Sequence, residues 1–182
     1  MDRSLREELL NELRMILHRT KIPAIYVTHD QEEAFTIADR VLILHGGEIV
    51  RDGTPADVWA NPKSAFVAEF LGLGNVLDGE VVAKNKFQTK LGNFTVKCAH
   101  QHSKEDKVKL LVRPTVSRAE RSEPIGERRR SAGIVINGIV IDVLFQQDRY
   151  KVTLDNSLYV YLEEAPKVGG KISVQVKVEC LA

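Results

Sequence analysis

Over its first 72 positions the chain switches repeatedly between hydrophobic rhythms. Leu5, Leu9, Leu13, Ile16 and Leu17 recur every three or four residues, with Arg6, Glu7, Glu8, Asn11, Glu12 and Arg14 between them. That spacing predicts an amphipathic helix over residues 3–20, with Asp2 or Ser4 as N-cap. Pro23 ends helical structure, and Ala24-Ile25-Tyr26-Val27 follows as an unbroken apolar run, the pattern of a parallel strand covered on both faces. The run stops at Thr28-His29-Asp30, which places a histidine at the strand tip, where ligands of open α/β sheets bind. Gln31, Glu32 and Glu33 then open a helix over about 31–39, capped by Thr28 or Asp30 and suited to the positive end of its dipole. Val41–Leu44 and Glu48–Arg51 flank Gly46-Gly47, a hairpin turn that needs positive φ. Thr54-Pro55-Ala56-Asp57 starts another helix, Asn61-Pro62 stops it, and Ser64–Leu71 forms the last helix before Gly72 and Gly74.

From residue 73 onward the period shortens to two. Lys107–Arg113 and Lys171–Glu179 alternate as strands with one buried face, and Gly92-Asn93 and Asp155-Asn156 are turn dipeptides between strands. The region also repeats itself. Gly79-Glu80-Val81-Val82 corresponds to Gly138-Ile139-Val140-Ile141, Leu91–Val96 to Leu154–Val160, and Val108–Val112 to Ile172–Val176. Each repeat alone is too small for a sizeable core, so the two are predicted to intertwine into one OB-like β domain. Its shared core is expected at Val81, Val96, Leu110, Val112, Val140, Val152, Val160, Val174 and Val176. Between the repeats, Ser117–Ala132 is charged and nearly free of apolar residues, which predicts a surface loop.

Composition narrows the function classes. With 182 residues, 43% hydrophobic and 28% charged, the chain is ordinary globular protein of one or two domains. A formal net charge of +1 argues against a dedicated nucleic-acid binder. No apolar run reaches membrane-spanning length, so membrane association is expected only through a partner. Cys98 and Cys180 lack C-x-x-C spacing, which implies neither a disulfide framework nor a zinc site; two half-buried cysteines in a reducing compartment are expected, and no metal ligands.

Taken in order, these segments resemble the ATP-binding subunits of ABC importers of the maltose, polyamine and ferric-iron type. Asp2 with the following helix is similar to the end of the D-loop, and Val27-Thr28-His29-Asp30-Gln31-Glu32-Glu33-Ala34 to the switch-histidine segment. Ala38-Asp39-Arg40-Val41 through Gly46-Gly47, Gly53-Thr54-Pro55 and Asn61-Pro62 resemble the exit from the nucleotide-binding domain, and Phe66–Gly72 the lead into a transport-associated OB (TOBE) domain. The resemblance implies an α/β remnant of a P-loop ABC ATPase domain over residues 1–72, followed by an all-β OB-like TOBE domain over residues 73–182. It also implies that His29 faces the γ-phosphate as the switch histidine and that Asp2 contributes the D-loop aspartate at the nucleotide. The intact subunit would use ATP and Mg²⁺ to couple hydrolysis to solute uptake, as a homodimer held at the inner face of the cell membrane by permease subunits. The chain has no G-x-x-x-x-G-K-[ST] loop, no Gly-rich family signature and no apolar strand ending in Asp-Glu. It therefore reads as a C-terminal piece that is inactive alone and binds no nucleotide tightly, because phosphoryl transfer rests on those elements.

Other candidates are weighed against plainer roles. Arg113-Pro114 matches a family pair usually followed by an acidic residue, where Thr115 stands here. Arg128-Arg129-Arg130 reads as a solvated loop, and Trp59, Phe66 and Phe70 as packing residues. The aromatics Phe87, Phe94, Phe145, Tyr150, Tyr159 and Tyr161 have no accompanying basic stripe, so base stacking is not expected. The alternative is a stand-alone TOBE-type module that senses a small anion or binds a regulatory protein. The resemblance to molybdate-type relatives of this domain, which bind a tetrahedral anion through a Ser-Ala-Arg-Asn segment, extends at the equivalent junction Gly72-Leu73-Gly74-Asn75 only to the Asn, the Ser and Arg being absent.

Overall fold

A computed structural model of the chain describes residues 3–98, 100–114, 116–117 and 134–181, and divides into two units, Met1–Lys63 and Ser64–Ala182. Asp2 and most of the loop expected at Ser117–Ala132, including Arg128-Arg129-Arg130, lie outside the described residues. Among the described residues no helix is long and apolar enough to cross a membrane.

The first unit contains α1 (Arg3–Thr20), α2 (Gln31–Ile37), β1 (Val41–His45), β2 (Glu48–Gly53) and α3 (Pro55–Ala60). Helix α1 packs on α2 through its basic face. The Arg14 guanidinium donates to the carbonyls of Thr36 (3.0 Å) and Ile37 (2.7 Å), satisfying acceptors that the end of α2 leaves open. Gly46 and Gly47 take φ of 58° and 84° between β1 and β2, the left-handed turn the sequence calls for. Thr54 caps α3 by accepting from the Asp57 amide, with Pro55 at its first turn. Arg51, only 4% exposed, fastens β2 to α3 by donating to Asn61 O (2.9 Å) and Asp57 Oδ2 (2.6 Å). That guanidinium leads in holding the Asp57 carboxyl below the usual carboxylate range.

One expectation fails here. Ala24–Val27 forms no strand; Ile25 and Val27 are 94% and 90% exposed. The apolar run encodes a demand for burial, but a strand needs a neighbour to accept its backbone hydrogen bonds, and none of the described strands pairs with it. The apolar stripe of α1 is likewise uncovered, with Leu5, Leu9 and Ile16 each about half exposed.

The second unit opens with α4 (Ala65–Phe70), capped by Ser64 and packed on the strands β3 (Asn75–Ala83) and β6 (Lys107–Arg113). Val67 and Ala68 are fully buried there, so α4 packs with the strands of this unit. Gly74 follows at φ 155°, where a Cβ would collide with the Val112 carbonyl oxygen and Pro114 Cδ. The remaining strands are β4 (Lys86–Thr89), β5 (Gly92–Thr95), β7 (Val116–Ser117), β8 (Ile134–Gln146), β9 (Arg149–Leu154), β10 (Tyr159–Leu162) and β11 (Lys171–Leu181). They form one sheet in the order β5-β4-β3-β6-β11-β8-β9-β10-β7, antiparallel except for the β10–β7 pair. Strand β7 follows β6 in sequence yet pairs at the far end of the order, so the sheet curls round on itself.

Apart from β7, that order is a palindrome about the β6–β11 pair. It makes β3-β4-β5-β6 and β8-β9-β10-β11 equivalent, which is the sequence repeat expressed as topology. The equivalence extends to irregularities. Register slips between Val81 and Ala83 and again between Val140 and Asp142, and in each repeat the bulged strand then pairs with the loop before its partner: Val81 N–H to Asp106 O (3.0 Å), Val140 N–H to Gly170 O (2.9 Å). The turn expected at Gly92-Asn93 sits earlier, at Lys90-Leu91, with Gly92 keeping positive φ at the start of β5. All nine core positions expected from the sequence are buried in one cluster with Phe87, Phe94, Leu154 and Leu162.

Candidate functional site

In the first unit the Thr28-His29-Asp30 turn is built by side chains that hold everything around the histidine. Thr28 Oγ1 accepts from the Asp30 amide (3.0 Å) and donates to Glu33 Oε2 (2.7 Å); Asp30 Oδ1 caps α2 by accepting from the Glu33 amide (3.2 Å). Arg6 of α1 reaches across to Asp30 Oδ2 (2.9 Å) and lies 3.5 Å from Glu33 Oε1, and Tyr26 donates to Glu33 Oε2 (3.0 Å). The hydrogen bond to Glu33, then burial, keeps the Tyr26 phenol above its ordinary pKa and therefore a donor. His29 itself is exposed. The network thus fixes the backbone on both sides of an outward imidazole, and it is anchored to a second helix by one arginine.

In the second unit Asn75, 9% exposed, uses both ends of its carboxamide on one residue: Nδ2 donates to Tyr159 O (2.9 Å) and Oδ1 accepts from Tyr159 N–H (2.9 Å). It replaces a neighbouring strand at the start of β10, tying the first repeat to the second, and its polar atoms are taken up by that bridge. Arg113 grips Glu179 of β11 with Nε and Nη2, each at 3.1 Å, and Lys177 adds a 2.6 Å contact. Arg113 thus finds an acidic partner on the neighbouring strand. Burial works to raise the Glu179 pKa, but the hydrogen bonds from Arg113 and Lys177 outweigh it and hold the carboxyl below its ordinary value.

The aromatics do not make one platform. Phe145 and Tyr150 pack together at 5.1 Å, while Tyr159 and Tyr161 carry Lys151 and Arg149 over their rings at 4.4 and 5.5 Å on the opposite side of the alternating strand β9. Trp59 meets Phe35 edge-on at 6.0 Å within the first unit, and Phe66 stacks on Phe70 at 5.9 Å within the second.

The sequence reading considered Cys98 and Cys180 only as a pair and missed a third constellation. Between β5 and β6, Cys98, His100 and His102 stand at alternate positions, and Cys180 comes to them from β11. Cys98 Sγ lies 3.3 Å from His100 Nδ1 and 3.2 Å from His102 Nε2, and Cys180 Sγ lies 3.4 Å from the same Nε2. The four donor atoms are all within 4.8 Å of one another. Burial first, and then the Cys98 thiol, push the Cys180 thiol up to about 12. A Cys-x-His-x-His signal was visible in the sequence; its fourth member lies 78 residues away from His102 and is brought in only by the fold.

No family model matches the chain. It is 32% identical over 178 residues to the spermidine/putrescine import ATP-binding protein PotA of Borrelia garinii subsp. bavariensis, an alignment covering 96% of this chain and 48% of that protein. It is 37% identical over 175 residues to the Fe(3+) ions import ATP-binding protein FbpC of Streptomyces avermitilis, with the same 96% and 48% coverage. To the PotA protein of Haemophilus ducreyi it is 37% identical over 120 residues, 63% of this chain and 32% of that protein. The chain spans about half the length of the first two relatives.

Proposed function

The chain belongs with the ATP-binding subunits of ABC importers over the half of their length that it spans, and we propose that it is the C-terminal part of such a subunit. In this reading residues 1–72 end the nucleotide-binding domain, with Asp2 in the D-loop and His29 as the switch histidine, and residues 73–182 are a TOBE domain in dimerisation and regulation. The observation that carries the reading is the Thr28-His29-Asp30 turn. Its neighbours are locked by Arg6, Glu33 and the cap of α2 while the imidazole points outward, an arrangement suited to sensing a ligand held by other elements. The uncovered apolar run at Ile25 and Val27 and the uncovered stripe of α1 fit a layer that further α/β structure would bury.

By themselves these residues do not make a nucleotide cradle, since the sequence holds no G-x-x-x-x-G-K-[ST] loop and no apolar strand ending in Asp-Glu. In the intact subunit ATP supplies the free energy of hydrolysis and Mg²⁺ neutralises phosphate charge. The part of this chain is to present His29 as a hydrogen-bonding group at the terminal phosphate and to keep it there through Arg6 and Asp30. The subunit would act as a homodimer with permease subunits at the inner face of the membrane, moving a solute such as a polyamine or ferric iron.

The purified chain is expected to show no Mg·ATP turnover, and an intact subunit containing it to lose turnover in His29→Ala while still binding Mg·ATP. Metal-dependent hydrolysis by the purified chain, abolished by His29→Ala, would overturn the reading.

A further inference from the structure

We propose that Cys98, His100, His102 and Cys180 form a zinc site, tetrahedral with two sulfur and two nitrogen ligands and no open position. The donor set selects the ion: thiolate and imidazole bind Zn²⁺ well, whereas Mg²⁺ and Ca²⁺ need oxygen ligands that are missing from this cluster. The spacing fits too. With Zn–S about 2.3 Å and Zn–N about 2.0 Å, the S···N edge of a tetrahedron is about 3.5 Å. The three S···N separations here are 3.3, 3.2 and 3.4 Å.

His102 Nε2 stands against two sulfurs at once, Cys98 Sγ at 3.2 Å and Cys180 Sγ at 3.4 Å. A cation at the centre satisfies all four donors together. Coordination breaks two Sγ–H bonds and sends both protons to solvent. Zn²⁺ with two thiolates and two neutral imidazoles is then electrically neutral and can sit beside the buried ring of Phe87, which meets His102 edge-on at 6.2 Å.

The surroundings hold the ligands in place. Asn85 Oδ1 accepts the Cys98 amide at 3.2 Å, and Cys180 is fixed in β11 opposite Leu110, a fully buried residue of β6. The site is one-sided: in the second repeat, the matching β10–β11 connection, Glu163–Gly170, contains neither cysteine nor histidine. Zinc would therefore clip the first repeat's long connection to the last strand of the second repeat.

The test uses the full chain, reduced and stripped of metal, with Zn²⁺ and Co²⁺ as the only probes. One ion per chain is expected, and Co²⁺ should give the intense visible bands of a tetrahedral site with a thiolate-to-cobalt charge-transfer band, both erased by Zn²⁺. Zinc should protect both thiols from a thiol reagent and raise the thermal midpoint. Cys98→Ser/Cys180→Ser should lose the charge-transfer band, and His102→Ala should bind at least tenfold more weakly. Apo and zinc-loaded forms of the unsubstituted chain give the thiol and stability readouts without any folding question. Octahedral cobalt spectra, binding unchanged in the double variant, or thiols equally reactive with and without Zn²⁺ would each overturn the proposal.

Discussion

Replacing Asn75 by alanine isolates the bridge that joins the two β repeats. The side chain is 9% exposed and makes two 2.9 Å hydrogen bonds to the backbone of Tyr159, with a longer 3.5 Å contact from Nδ2 to the Val112 carbonyl. Its removal leaves that N–H and C=O without their partner at the start of β10. An abandoned buried donor or acceptor costs about 1–3 kcal/mol. Among the described residues β7 pairs with β10 at Tyr161 and Leu162, beyond the Tyr159 amide and carbonyl that Asn75 serves. A total near 3 kcal/mol is the working value, within the span of two such groups. For a chain of this size that lowers the melting midpoint by roughly 6–12 °C. Asn75→Asp should be no better, because it keeps an acceptor for the Tyr159 amide but sets a second acceptor against the Tyr159 carbonyl. Urea unfolding followed by circular dichroism gives the stability change, and hydrogen exchange locates it: the Tyr159 amide should lose protection first. A loss below about 0.5 kcal/mol, the size of an ordinary surface change, with the Tyr159 amide still protected, would refute the assignment.

Two further outcomes follow from the same unit. Because the folded pKa of Glu179 lies below its ordinary value of 4.5, its ion pair stabilises fully above that value and is lost as pH falls through the lower folded value. Glu179→Gln should cost about 1 kcal/mol at neutral pH, the figure being kept low for partial exposure, and the gap from wild type should close on acidification; a pH-independent gap in urea midpoints would contradict this. A truncated chain beginning at Ser64 should fold cooperatively, because α4 buries Val67 and Ala68 against β3 and β6, while a chain ending before Ile134 should not. Cooperative folding of either repeat alone by circular dichroism would show that the core is not shared.

The β unit was legible because each level of its sequence agrees with the next. Alternation marks the strands, the repeat marks their equivalence, and the nine residues expected inside are all buried. Residue identity concealed the shared irregularities. Positive φ falls on Asn85 in one repeat and Gln147 in the other, and on Glu105 and Gly169, so the repeat is kept in the backbone where the side chains differ. The run Ala24–Val27 misled for the opposite reason: periodicity records what a segment would bury, and pairing depends on a neighbour that periodicity does not contain. Cys180 was invisible as a site residue because β11 brings it to His102 only through the β6–β11 pairing, at the centre of the palindrome.

That central pairing also explains why the two repeats can carry different chemistry. The pair β6–β11 sits on the pseudo-dyad, and β11 there meets the β5–β6 connection of the other repeat, Cys180 Sγ lying 3.4 Å from His102 Nε2. Symmetry alone would give two equal surfaces, and each of the polar bridges breaks it. Asn75 ties β3 to β10, Arg113 ties β6 to Glu179, and the Cys/His cluster ties the β5–β6 connection to Cys180. All three run from the first repeat to the second, and two of them end on the last three residues of β11, at Glu179 and Cys180. The end of β11 is thus held by an ion pair on one side and the thiol–imidazole cluster on the other, as side chains alternate across a strand. A ligand that tightens the cluster would therefore stiffen the junction of the repeats rather than either repeat alone.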